Sequence, residues 1–314
     1  MRGALFGKNW TFFSENVSGI HDFWIPAFPP QRSARPVGPR CILAGAGMTY
    51  FFMFIIGQRI NLAGNAALVK SVQAGQKDAI TKEAILQEQA GVHAIDIHIA
   101  FLQSNRPRFM AQVIDQVRSV TSLALSIDDT DLEVVEAGLK QAGKKSLINS
   151  PLDVNQNLNR ICSLALEFKE AQMLIVPLAQ NKTPDGLRNF IETSKTILNL
   201  LEDRGIFRTR IMIDALLFSL SQARQKVLET LDRIKSLKEE VGVSSVIGLG
   251  NISYQLKNKE TINAYFLRLA KKAGLDAVIC DPCEKSVMEA ATLNHESNDL
   301  SRDHFLKFVA LALN

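Results

Sequence analysis

Along this chain, short apolar runs of strand length stop abruptly on polar residues, and each gives way to a segment with helical spacing. Leu123-Ala-Leu-Ser-Ile-Asp-Asp-Thr130 shows the pattern most plainly, because a run fit for burial on both faces ends on two carboxylates. Such runs, alternating with amphipathic segments, predict βα units and a parallel sheet covered on both sides. Strands are expected at Phe54–Ile56, Ala94–Ile99, Leu123–Ile127, Ser146–Asn149, Met173–Pro177, Arg210–Ile213, Ser245–Leu249 and Ala277–Cys280. Helices are expected from beyond Asn61 to Ala90, then at Pro107–Val120, Leu132–Gln141, Asp153–Glu170, Pro184–Arg204, Gln222–Glu240 and Lys259–Ala273, with terminal helical material over Glu284–Leu293 and Arg302–Leu313. Gly91 stands where a C-cap belongs, and Thr130 or Asp131 where an N-cap does. The charge-dense sixth helix reads as a solvated outer face.

Eight units in this order, over about 260 residues, predict an α/β chain folded as a single-domain (β/α)8 TIM barrel, whose chemistry sits on the loops after the strands. Read together, the strand ends offer Asn61, Asp96, Asp128, Asn149, Asp214, Asn251 and Asp281, a ring of acids and amides with almost no lysine or arginine. That mouth suits a neutral, donor-rich heterocycle better than a phosphate, which calls for basic groups or a glycine-rich helix start. Asp96 and His98 alternate with Ile95, Ile97 and Ile99, so both polar side chains share the face expected to look into the mouth. Gly248 and Gly250 are expected to serve close backbone approach or positive φ at the seventh strand end. Gly248-Leu-Gly250 lacks the third glycine of a dinucleotide fingerprint.

Composition narrows the function classes. With 314 residues, 46% hydrophobic and 22% charged, the chain can bury one large core. Of the formal net charge of +4, most falls before Met53, where Arg2, Lys8, Arg32, Arg35 and Arg40 face only Glu15 and Asp22. A nearly balanced body gives no electrostatic case for nucleic acid. The scattered Cys41, Cys162, Cys280 and Cys283 form no secreted disulfide framework, so a cytoplasmic location is expected. Cys280-Asp-Pro-Cys283 has Cys-x-x-Cys spacing without a second ligand pair, so no metal is expected. The apolar stretch Ile42–Ile56 is broken by Gly45, Gly47 and Thr49, so no membrane span is expected.

Residues 1–52 read differently from the rest. They hold both tryptophans and Pro26, Pro29, Pro30, Pro36 and Pro39, half of all the prolines, with no sustained period. They are expected to form an irregular or disordered leader. Because Met53 directly precedes the first strand-like run, the natural start is expected there, with residues 53–314 as the barrel.

The segments Ile56-Gly-Gln-Arg-Ile-Asn61, Ala94-Ile-Asp96, Ile127-Asp128, Ala137-Gly-Leu139, Ile148-Asn-Ser150, Asn181-Lys-Thr183, Ile213-Asp214, Gly248-Leu-Gly-Asn251 and Ala273-Gly-Leu-Asp-Ala277 occur in register. In this order they resemble the methyltetrahydrofolate:corrinoid methyltransferases of the pterin-binding, dihydropteroate-synthase-like barrel superfamily, over nearly all of Met53–Asn314. The resemblance implies a pterin held along its aminopyrimidine edge by Asp128, Asn149 and Asp214, with Asp96, Asn61 and Gly248 lining the site. It implies that Asn251 lies close to N5, where it would stabilise the protonated amine as the methyl group leaves for Co(I) of a cobalamin carried on a corrinoid partner protein. A homodimer is implied as well. The chain departs from the family pattern at Gln58, where glutamate is usual, and at His98, where asparagine is usual. Asp129, Ala215 and Gly250 are further departures. His98, Gln58 and Asp281 are additional candidates, His98 as a proton donor or an orienting group. Dihydropteroate synthase is the nearest enzyme alternative, although Asp281-Pro-Cys-Glu-Lys-Ser lacks the arginine that family uses for pyrophosphate. A binding protein that kept the pocket and lost transfer is the non-enzyme alternative.

Overall fold

The computed structural model describes residues 53–76, 78–99, 105–293 and 301–312. The expected leader therefore lies outside the described residues. Eight parallel strands follow one another in sequence order and close into a barrel: β1 Phe54–Asn61, β2 Ala94–His98, β3 Ala124–Asp128, β4 Ser146–Asp153, β5 Gln172–Leu178, β6 Ile211–Asp214, β7 Ser244–Gly248 and β8 Ala277–Cys280. The helices around them are α1 Ala66–Gln73, α2 Ala79–Gln89, α3 Arg106–Arg118, α4 Leu132–Ala142, α5 Leu158–Glu167, α6 Leu187–Glu202, α7 Leu220–Val227, α8 Glu229–Ser236, α9 Lys259–Ala273, α10 Lys285–Thr292 and α11 Arg302–Ala312. The expected TIM barrel is the fold observed.

Three boundaries differ in ways that chemistry explains. The helix expected before Ala90 is two, because Gly75 takes φ +72° and ends α1 before Asp78 opens α2. β4 runs on to Asp153, since Pro151 and Leu152 stay in register with Val176 and Pro177 of β5 instead of starting a helix. The sixth helical stretch breaks at Ala223 (φ −143°) and again between α7 and α8, then ends in a wider turn over Leu237–Val241.

Side-chain alternation sorts the strands into two cores. Facing inward, Phe54, Ile56, Leu147, Leu174, Met212 and Ile279 fill the lower barrel, with the small Ala94, Ala124 and Ala277 between them. The outward set, such as Ile95, Ile127, Ile148 and Ile213, packs beneath the helices. Two arginines fasten the lower end, where they satisfy backbone carbonyls that helices and loops leave open. Arg118 donates to the carbonyls of Leu123, Ala142 and Lys145. Arg210 reaches those of Ala165, Phe168 and Ala171.

Two glycines set how close helices come to the sheet. A Cβ on Gly138 of α4 would sit 2.5 Å from Ile127 Cγ2 and 3.0 Å from Met110 Cγ, and one on Gly57 of β1 would sit 2.3 Å from Gln87 Oε1. That Gln87 oxygen accepts from the Arg59 N–H at 3.0 Å, so Gly57 lets a buried amide of α2 reach the strand next to the mouth. Alanine at position 138 would raise helix propensity by about 1 kcal/mol, but the overlap with a strand side chain outweighs this gain. Gly138→Ala is therefore expected to lower stability by about 1–3 kcal/mol in urea titrations. Unchanged stability would mean that α4 stands off from β3 more than described.

Candidate active site

The upper ends of β1–β4 bring four of the expected residues into one row. Strand register sets Asn61 beside His98, His98 beside Asp128, and Asp128 beside Asn149. Inward alternation also puts Asp96 one layer below, beside Ser126, and all of these residues are buried. Asn149 Nδ2 donates to Asp96 Oδ1 at 3.4 Å. His98 Nδ1 lies 3.1 Å from the Asp128 carbonyl oxygen and 3.2 Å from its Oδ2. The imidazole thus engages Asp128 on the next strand and not Asp96 on its own.

Asn61 shapes the first loop: its Oδ1 accepts from the N–H groups of Ala63 and Gly64 at 2.8 and 2.9 Å. Asp214 ends β6 with Oδ1 accepting from the Leu216 N–H at 2.7 Å. Leu216 itself takes φ +60°, unusual for a residue with a side chain, and its carbonyl accepts from Thr230 Oγ1 of α8 at 3.1 Å. Asn251 closes a short 3-10 turn over Leu249–Asn251 just after β7 and is 7% exposed. Gly248 ends β7 in register with Ile279. Its φ is −81°, and neither it nor Gly250 is among the residues with positive φ, so the positive-φ half of that expectation is corrected. Gln58 is half-buried, with Oε1 lacking a hydrogen-bond partner among the described residues.

The mouth holds more cations than expected. Arg59, next to Gln58, bridges Asp281 at 2.9 Å and Glu83 at 2.7 Å, tying β1 to the end of β8 and to α2. Asp281 is thereby committed to an ion pair at the rim. Arg106 opens α3 and pairs with the buried Asp129, so the additional carboxylate beside Asp128 is neutralised from a helix start. Arg233 of α8 is fully buried, against the expectation of a solvated face. It pairs with Glu229, donates to the Pro184 carbonyl and stacks over Phe190 and Phe218 at 4.7 and 5.4 Å. Arg106 carried a local sign, since Asn105-Arg-Pro107 reads as a cap with proline in the first turn. Apart from Glu229 four residues back, nothing local marked Arg233, whose other partners come from the loop after β5, from α6 and from the loop after β6.

Burial sets the protonation of the carboxylates. Asp214 is pushed up to about 7 by loss of water, partly opposed by the Leu216 N–H and the charge of Arg233. Burial also raises Asp128, with His98 opposing. For His98, burial works against the charge, but the facing Asp128 outweighs it and the imidazole titrates above its ordinary value. Cys280 is buried and its thiol is held well above the usual range, which leaves it inert at neutral pH. No group of three or more His, Cys, Asp or Glu suited to a metal occurs among the described residues. Nor is any helix among them long and apolar enough to cross a membrane.

Comparison with known proteins gives these residues a context. The methylcorrinoid:tetrahydrofolate methyltransferase of Eubacterium limosum is 24% identical over 243 residues, covering 76% of this chain and 88% of that protein. The methionine synthase of Mycobacterium leprae is 25% identical over 239 residues; the match takes in 72% of this chain but only 20% of that much longer protein. The dihydropteroate synthase of Xanthomonas albilineans, solved in complex with 7,8-dihydropteroate, shares the fold at TM-score 0.56 and 16% identity, over 83% of this chain and 93% of that one. The sequence profile of the family described as "Pterin binding enzyme" matches residues 57–281. With well over half of its length matched from the first strand to the end of the eighth, the chain belongs to the pterin-binding enzyme family.

Proposed function

We propose that this enzyme moves the N5-methyl group of methyltetrahydrofolate to Co(I) of a corrinoid carried by a partner protein. The observation that carries the reading is the convergence of Asp128, Asn149, Asp214 and Asn251 on the upper ends of four strands of one closed barrel. Two carboxylates and a carboxamide supply the acceptors and the donor that an aminopyrimidine edge requires along its 2-amino, N3 and 4-oxo positions. Rigid strands hold them, so little ordering is left for the moment of binding. The mouth arginines Arg59 and Arg106 are each held by carboxylates of the protein, which argues against a site built for pyrophosphate.

When bound, the corrinoid supplies the electron pair that takes the methyl group. This chain would orient the pterin and make N5 a better leaving group. As the N5–CH3 bond breaks, its electrons return to N5, and proton sharing at that atom lowers the barrier. Asn251, on a tight turn directly after β7, would face N5 and stabilise the protonated amine by hydrogen bonding. An ionised Asp214 accepts more strongly from ligand N–H groups than the neutral acid does, so binding would be linked to proton loss from a buried acid.

Mixed anaerobically with methyltetrahydrofolate and cob(I)alamin, the protein is expected to consume the Co(I) absorption, and Asn251→Ala is expected to slow this about 100-fold. Binding without transfer would point to a specialised acceptor or a binding protein. Absence of both would remove the pterin assignment.

A second outcome follows from Asp214. Its folded value of about 7 lies above the ordinary 3.8, so its contribution to stability is fully present below about pH 4 and lost as pH rises through 7. The loss amounts to about 4 kcal/mol. Asp214→Asn should flatten that part of the pH dependence in urea titrations at pH 5 and 8. The same substitution should weaken methyltetrahydrofolate binding at pH 8 by about 10- to 100-fold.

A further inference from the structure

His98 ends β2 at 5% exposure, with Asn61 on one side and Asp128 on the other. Its Nδ1 hydrogen-bonds the Asp128 carbonyl at 3.1 Å and lies 3.2 Å from Oδ2, which it faces as an ion-pair partner and which makes no hydrogen bond of its own among the described residues. A nitrogen set between two acceptors carries the hydrogen, so the second ring nitrogen is the one whose proton comes and goes. The surrounding charge is largely negative. Asp96 lies two residues back on the same strand, Asp128 ends β3 with Asp129 directly after it, and Asp214 stands across the barrel. Arg106 is engaged by Asp129, β1 and β4 contribute the amides of Gln58, Asn61 and Asn149, and on α2 Glu83 and Glu88 are engaged by Arg59 and Thr121. An imidazole so placed gains more from its charged form than a neutral amide of similar shape could offer.

We infer that His98 is a positioning residue that keeps the Asp128 carboxylate ionised and aimed, so that the site accepts a hydrogen-bond-donating heterocycle even in mildly acidic solution. This rests on the pterin reading above. An amide at this position could aim the carboxylate equally well. Only the imidazolium adds a charge that resists its protonation.

The test compares the full chain with His98→Asn, using calorimetric titration with methyltetrahydrofolate at about pH 6 and about pH 8.5. The variant is expected to bind about threefold more weakly at the higher pH and about fifteenfold more weakly at the lower, since losing the facing cation moves Asp128 up from about 6 by roughly one pH unit and so cuts its ionised fraction at pH 6 about fivefold. Protonation of the ligand affects both proteins alike and cancels in the ratio; Asp214, which feels the Asp128 charge, moves in the direction opposite to any gain, toward easier ionisation when Asp128 is neutral. Equal weakening at the two pH values would make His98 a structural support and overturn the inference while leaving the pterin reading intact. No binding by the unmodified protein at either pH would overturn both. A ligand-free measurement stands beside it: in protein carrying 15N-histidine, the His98 ring is expected to titrate above the ordinary 6.5 and to fall back in Asp128→Asn. A ring titrating below 6.5 in the unmodified protein would overturn the inference directly.

Discussion

A carboxylate at the end of a doubly covered strand has lost most of its water, and it is tolerated only with a partner. That constraint organises the upper end of this barrel. Asp128 has the His98 ring, Asp129 the Arg106 guanidinium, Asp281 the Arg59 guanidinium, Asp96 the Asn149 amide and Asp214 the Leu216 N–H. The partners differ in kind, and so do the consequences. Arginine fixes a permanent charge, a backbone N–H or an amide fixes direction alone, and histidine offers a charge that depends on the medium.

The two ends of the barrel therefore use similar residues for different work. At the lower end, Arg118 and Arg210 spend their donors on carbonyls, closing off backbone that would otherwise need water. At the upper end, arginines face carboxylates and leave the Asp128 and Asp214 side chains as the groups of varied protonation. Between the two lies a layer of apolar side chains, with alanine on β2, β3 and β8 making room for the bulk of Phe54, Leu174 and Met212.

Much of this was legible in the chain. Abrupt polar stops on apolar runs identified β3, β6 and β8, and the two-residue period put Asp96 and His98 on one face without any knowledge of their neighbours. The extra length of β4 was not legible, because proline inside Ser150-Pro-Leu-Asp153 usually argues against a strand; pairing with β5 overrode that local preference. The row formed by Asn61, His98, Asp128 and Asn149 depends on register between strands that lie dozens of residues apart, which no local pattern specifies. Arg233 shows the same limit. A Glu229–Arg233 pair at helical spacing looks like any surface pair, and only the arrival of Phe190 and Phe218 from other elements makes it a core group. Gly138 belongs to a segment that carried the family resemblance, and the Ile127 side chain against it supplies the physical reason.

Leu216 ties these themes together through its backbone. A leucine held at φ +60° costs on the order of 1 kcal/mol, which a glycine would avoid. Its N–H steadies Asp214 while its carbonyl is fastened to Thr230 on α8, so the cost is met by packing well outside the pocket. Glycine here would relax the loop and widen the range of directions the carboxylate samples. The chain thus trades comfort in one peptide for aim in one side chain, and the outer helix that anchors the bargain belongs to the working parts of the pocket as much as to its scaffold.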